Sequence, residues 1–326
     1  MTDRLTDSHQ PVLLEETVNL VCGREWAPSV DAQGGHYQGA VREGVYVDAT
    51  FGRGGHTRRL LQALGAGSRV IAFDRDPQAV AAGRALAAED ARVTMAHGNF
   101  AALDQLLDQL GIDKVQGVMM DLGTSSPQLD DPQRGFSFRF DAPLDMRMDT
   151  SRGPTAAEWL NAAAEADIAR VLREYGEERY ARRIAAAIVA ARPITTTTHL
   201  VEVVRGAQPR ATPGKHDATR VFQAVRIEVN QELAALESGL VAAFERLLPG
   251  GRLAAISFHS LEDRLVKRFV RSMSTPPPMP RRLPVRGGGA QARGRLVGRP
   301  VTPGDAELRG NPRARSARLR VVEKLG

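Results

Sequence analysis

Residues 45–56 read Val45-Tyr46-Val47-Asp48-Ala49-Thr50-Phe51-Gly52-Arg53-Gly54-Gly55-His56. A short apolar strand ends in an acid, and a turn with three glycines opens into a helical run over 57–64. Glycine accepts positive φ and has no Cβ, so such a turn lets a ligand lie against bare main chain. Working outward, short runs of β-formers recur at 69–74, 92–96 and 115–121, separated by helical patterns at 57–64, 77–88 and 100–110. Strands alternating with helices predict parallel βαβ units, hence an α/β fold with a doubly wound, mostly parallel sheet.

After Asp121 the rhythm breaks. Residues 123–153 show no period and read as a long loop, and 155–208 are alanine-rich with helical spacing. This predicts an inserted all-helical domain. The expected division is 1–140 for the first part of the sheet domain, 141–216 for the insertion and 217–326 for the second part. A single long helix is expected over 218–247, stopped by Pro249-Gly250-Gly251. A strand over 252–258, a helix over 261–273 and an edge strand over 317–322 follow. Residues 23–44 and 274–310, rich in Gly and in Pro and Gly, read as irregular.

The bulk composition excludes several classes. With 42% hydrophobic and 25% charged residues the chain has the composition of a soluble globular protein. No apolar run approaches the roughly 18 residues that a membrane span needs, and residues 1–10 are polar without a signal-peptide core. A cytoplasmic location and no membrane partner are expected. The one cysteine, Cys22, excludes an intrachain disulfide and a cysteine-cluster metal site. The seven histidines show no ligand spacing, so no metal is expected. Charge is uneven. Residues 276–326 hold 12 Lys and Arg against 3 Asp and Glu, an excess larger than the +6 of the whole chain. A basic segment on a slightly acidic body suits a polyanion. Forty of the 44 bases are arginine, a bias that fits an arginine-rich genome equally well.

Three strand ends carry acids: Asp48, Asp74 and Asp121. Ligands of open α/β sheets bind at the carboxyl ends of the strands, where a carboxylate such as Asp74 can accept from ribose hydroxyls. That suits a dinucleotide or S-adenosylmethionine (SAM). Dinucleotide sites want G-x-G-x-x-G, whereas Gly52-Arg53-Gly54-Gly55 is spaced differently. No Gly-Lys-Ser/Thr follows, which excludes a P-loop. SAM has no pyrophosphate to cradle and is preferred. Phe100, after His97-Gly98-Asn99, either stacks on adenine or is plain core.

The chain resembles the bacterial 16S ribosomal RNA cytosine-N4 methyltransferases of the RsmH (MraW) type. The match is carried by His9-Gln10-Pro11-Val12-Leu13-Leu14, the 48–56 turn, Ala72-Phe73-Asp74-Arg75-Asp76-Pro77 and Asp121-Leu122-Gly123-Thr124-Ser125-Ser126-Pro127-Gln128. Arg134-Gly135-Phe136-Ser137-Phe138-Arg139, Pro143-Leu144-Asp145-Met146-Arg147-Met148-Asp149 and Tyr175-Gly176-Glu177-Glu178 extend it. Thr219-Arg220-Val221-Phe222-Gln223, Ser257-Phe258-His259-Ser260-Leu261-Glu262 and Asn311-Pro312-Arg313-Ala314-Arg315-Ser316 complete it in order. The 23–44 connection is longer than is usual in that family. Thr124 stands where valine is common, and Asp217 where proline is common.

The resemblance implies a class I SAM-dependent methyltransferase, Rossmann-like, that methylates one cytidine in the decoding centre of 16S rRNA. It implies the small ribosomal subunit as partner and leaves a homodimer open. It places SAM contacts on Gly54, Gly55, His56, Asp74, Phe100, Asp121 and Gln128.

A cytosine amine is a poor nucleophile because its lone pair is delocalised into the ring. An acceptor on its N–H would favour attack, so positioning matters more than a strong base. Asp121 is the catalytic candidate. Phe136 and Phe138 are expected either to stack on a flipped base or to anchor their loop. Arg313 and Arg315 are the RNA-backbone candidates. His259 is a catalytic base or, at least equally, the orienter of the turn after it. Asp145, Arg147 and Asp149 form a loop-closing ion network or touch RNA. The competing classes are a methyltransferase acting on tRNA or DNA cytosine, an RNA-binding scaffold without cofactor, and an NAD-dependent dehydrogenase.

Overall fold

The computed structural model describes residues 11–28, 35–209, 218–277 and 291–326. The motif residues His9 and Gln10 and the expected boundary at 216–217 lie outside these. The described chain divides into two compact units, 1–123 with 234–326, and 124–233. The second unit is therefore wider than the expected 141–216. Phe136 shares one apolar core with Leu144, Ile184 and Val225, so the loop after 123 and the helix Thr219–Asn230 pack with the insertion.

The first unit contains β1 (Glu25–Pro28), β2 (Gly35–Gln38), β3 (Val45–Asp48), β4 (Arg69–Asp74), β5 (Val93–His97), β6 (Val115–Asp121), β7 (Leu247–Ser257), β8 (Gly294–Leu296) and β9 (Arg318–Lys324). Seven of them form one sheet in the order β5-β4-β3-β6-β7-β9-β8. The pairs from β5 through β7 are parallel, and β9 is antiparallel to both β7 and β8. This is the doubly wound, Rossmann-like sheet expected.

Alternate residues of each strand go to opposite faces. Val70 and Ala72 of β4, Met119 of β6 and Ala254 and Ile256 of β7 join the core beneath the helices Leu14–Val21, Gly55–Ala63 and Pro77–Glu89. Ile71, Phe73, Val118, Met120, Leu253 and Ala255 join the core on the other face, with Leu103 and Leu107, Leu236 and Leu240, and Val266 and Val270. Helices on both faces explain why these strands read as continuous apolar runs.

Three local expectations differ. The helix expected over 218–247 is two, Thr219–Asn230 and Glu232–Arg246, broken at Gln231 with φ +50°. No glycine or proline marks the break. Asn230 instead ties to the 146–148 segment, its Oδ1 accepting from Met148 N at 2.7 Å and its Nδ2 donating to Met146 O at 2.7 Å. Within the stretch read as a loop, β1 and β2 pair antiparallel, with Trp26 edge-on to Tyr37 at 5.1 Å. Within the other, β8 and a short helix, Asp305–Gly310, form. Among the described residues, no helix is long and apolar enough to cross a membrane.

Candidate active site

The chain leaves β3 toward β4 on one side and β6 toward β7 on the other, so the sheet order reverses between β3 and β6. Such a switch point opens a crevice at the carboxyl strand ends. Asp48 and Asp121 end the two flanking strands and Asp74 ends β4.

The glycine turn is tied down at each step. Phe51 N donates to Phe73 O at 2.9 Å, and Gly54 N donates to Phe51 O at 2.7 Å. Gly52 and Gly54 have φ of +54° and +76°, values that side-chain-bearing residues rarely adopt. The reason for glycine at 54 and 55 differs from the expectation. A Cβ on Gly54 would lie 2.4 Å from the Phe51 ring, and one on Gly55 would lie 2.2 Å from Pro11. The space is filled by the protein's own side chains. These glycines let the turn pack, and the main chain they leave bare is not all open to a ligand.

Asp74 clamps this turn. Its Oδ2 accepts from Gly52 N at 2.7 Å and its Oδ1 from Asp76 N at 2.9 Å. A carboxylate has about four lone-pair sites, so each oxygen retains capacity for a hydroxyl. Burial pushes the Asp74 carboxyl up, and these two N–H groups pull it back only in part. Asp48 is fully buried, with Oδ2 accepting from Thr57 Oγ1 at 2.6 Å and Oδ1 from Thr50 N at 3.2 Å. Burial pushes its carboxyl up to about 6. The Thr50 hydroxyl accepts from Asp121 N at 2.6 Å, so the turn after β3 holds the end of β6.

Asp121 differs from the other two. Its Oδ1 is buried with no hydrogen-bond partner, and its Oδ2 lies 3.6 Å from His56 Nδ1. Burial, then Asp48 and Glu262, push its carboxyl well above the usual carboxylate range. Among the described residues no Lys or Arg forms an ion pair with Asp48, Asp74 or Asp121. Asp74 is placed to accept from the ribose hydroxyls of an adenosyl group. The residues present therefore fit SAM, and the glycine spacing disfavours the dinucleotide reading.

Phe100 begins a short 3-10 helix capped by Asn99, and its ring covers Gly239, where a Cβ would meet it at 2.5 Å. Gly54, Gly55, His56, Asp74, Phe100 and Asp121 thus share the carboxyl edge of one sheet. Gln128 belongs to the second unit. It is buried there, and its Oε1 accepts from Ser125 N at 3.0 Å, holding the start of its own short helix.

Other expectations resolve toward structure. Phe136 is buried in the helical unit's core, with the Arg134 guanidinium 5.8 Å from its ring centroid. Phe138 sits edge-on to Phe222 at 5.1 Å. Both rings pack within this unit, as the loop-anchoring alternative has it, and Phe138 stays half-buried. Asp145 forms a bidentate pair with Arg147, both contacts at 2.8 Å, and Asp149 pairs with Arg152. These are two local pairs within the 145–152 segment. His259 is the N-cap of the helix Ser260–Ser274, with Nδ1 accepting from Glu262 N at 3.4 Å and Nε2 at 3.2 Å from Glu262 Oε1. It orients its turn. Arg313 and Arg315 are exposed on the 3-10 segment Pro312–Ser316, while Arg320 of β9 is paired with Asp263 at 2.8 Å. Sequence reasoning missed the Thr50 link, because a lone threonine after a strand carries no signal of what its hydroxyl meets.

The model of the MraW methylase family matches residues 6–325. A ribosomal RNA small subunit methyltransferase H from Azoarcus sp. (strain BH72) is 57% identical over 288 residues, covering 87% of this chain and 92% of that protein. One from Aromatoleum aromaticum is 58% identical, covering 88% and 93%. A third, from Ralstonia pickettii (strain 12D), is 52% identical over 97% of both chains.

Proposed function

The chain belongs to the MraW methylase family, and on that premise we propose that it transfers a methyl group from SAM to the exocyclic N4 of a cytidine in 16S rRNA, acting on the small ribosomal subunit in the cytoplasm. The observation that carries the chemistry is Asp121 Oδ1, a buried oxygen without a partner at the switch point of the sheet. SAM, when bound, supplies a methyl group on a sulfonium sulfur. Gly54, Gly55, His56, Asp74 and Phe100 line the strand ends that would hold it, and Asp74 retains lone pairs for ribose hydroxyls. The Asp121 carboxylate accepts from the cytosine amine, orienting its lone pair and drawing electron density back onto nitrogen. The names of the relatives support ribosomal RNA of the small subunit as substrate. Cytosine N4 rests on the family resemblance together with the single acceptor.

The purified protein is expected to methylate small subunits or 16S rRNA in the presence of SAM and to leave DNA and tRNA unmodified. Mass spectrometry of digested RNA should place the new methyl on a cytidine amine. Modification of DNA or tRNA alone would overturn the substrate assignment. Replacing both Arg313 and Arg315 with Gln should weaken RNA binding and reduce the slope of log affinity against log salt by about 1.4–1.8, from roughly 0.7–0.9 per phosphate contact. SAM affinity should be unchanged. An unaltered slope would remove this segment from the RNA interface.

A further inference from the structure

The buried ring of His56 has both nitrogens directed at acceptors. Nε2 is 3.1 Å from the carbonyl oxygen of Val12, and the ring is only 7% exposed. A carbonyl oxygen can only accept, so Nε2 carries a hydrogen. In a neutral ring Nδ1 would then be a bare lone pair facing Asp121 Oδ2 at 3.6 Å. That distance is longer than a hydrogen bond but within an ion pair's reach.

We propose that His56 and Asp121 hold one proton between them, on Nδ1, and that His56 is thereby the positioning residue that keeps the Asp121 carboxylate ionised toward the reacting amine. This rests on the methyl-transfer reading above. The charged groups facing Asp121 are Asp48 from β3, Glu262 from the helix Ser260–Ser274 and His56 from the helix Gly55–Ala63. Two are acids, and with burial they favour the neutral acid form of Asp121. An imidazolium at position 56 would offset them. The N-terminus of its own helix opposes a cation there, but a carboxylate 3.6 Å away outweighs a partial charge. After methyl transfer the aminium nitrogen carries the proton that must leave. The Asp121 carboxylate accepts it, the aminium becomes a neutral amine, and Asp121 becomes a neutral acid that later returns the proton to water.

The test is the pH profile of kcat for His56→Gln, whose amide can still donate to Val12 O but carries no charge. Without the imidazolium, Asp121 stays protonated to higher pH. The acid limb should move up by at least one pH unit, with activity lost at pH 7 and recovered at higher pH, when measured at saturating SAM. A uniform loss at every pH, with the limb unmoved, would reduce His56 to a packing residue and overturn the proposal. If His56→Gln does not fold, 15N NMR of histidine-labelled wild-type protein decides. Both ring nitrogens of His56 should be protonated at neutral pH, and Asp121→Asn should abolish that. A neutral ring unaffected by Asp121→Asn would overturn the proposal. This second arm needs no methyl transfer, so it still decides if the wild-type protein proves inactive on RNA, an outcome that would defeat the functional reading alone.

Discussion

Asp121→Ala is expected to abolish measurable methyl transfer in a protein that folds and still binds SAM. A positioned proton acceptor typically contributes 10²–10⁴-fold, and no other described side chain at this strand end leaves a buried oxygen unpartnered. The fold should survive because the contact holding this strand end is made by the main chain: Asp121 N donates to Thr50 Oγ1 and keeps doing so without the carboxylate. Removing the carboxylate also relieves a buried acid that sits beside Asp48. Single-turnover assays with saturating SAM and RNA, alongside SAM calorimetry, separate the chemical step from binding. Turnover within threefold of wild type would remove Asp121 from the chemistry. Loss of SAM binding with an unchanged chemical step would make it a cofactor contact only.

Arg252→Met should destabilise the sheet unit by about 3–5 kcal/mol, the usual cost of breaking one side of a buried ion pair. Arg252 is 1% exposed. Its guanidinium donates to Glu323 and to Glu25, both at 2.9 Å, and to the carbonyls of Leu20 and Arg24 at 3.0 and 2.7 Å. Methionine fills similar volume but leaves two carbonyls without their donor and Glu323 held by Arg295 at 3.0 Å. The urea midpoint should fall with m unchanged. Burial raises the Glu323 carboxyl, and Arg252 and Arg295 together more than reverse this, holding it below the usual range. Its contribution is therefore present above the ordinary carboxylate pKa and lost as pH falls through the depressed one. The gap between variant and wild type should narrow in acid. Arg252 pairs across from Gly117, four residues before Asp121 and so roughly 13 Å from the strand ends at about 3.3 Å per residue. SAM affinity of the folded variant should stay within about twofold. A midpoint shift worth under 1 kcal/mol would show that the network contributes little.

The strand–helix alternation and the acids at three strand ends were legible because both are local. Apolar runs of β-formers and a glycine turn are written in consecutive residues, and a parallel sheet needs both faces of each strand apolar. The acids could be placed at a ligand edge because residues at carboxyl strand ends face the crevice whatever the helices do. The break at Gln231 was not legible, since no breaker residue stands there and the cause is Asn230 bonding to a segment more than 80 residues away. Nor was the packing of Phe136 and Phe138, because an aromatic in a loop reads alike whether it meets a base or Phe222.

By itself the sequence determined the class of sheet, the acids at three strand ends and the family. Tertiary structure alone decided that Phe51 and Pro11 occupy the space beside Gly54 and Gly55, that Asp74 clamps the turn, and that Asp121 Oδ1 is left without a partner while His56 faces Oδ2. Those facts depend on side chains brought together from distant strands and helices. Hydrogen bonding and desolvation act over a few ångströms of space, and separation along the chain carries no trace of them.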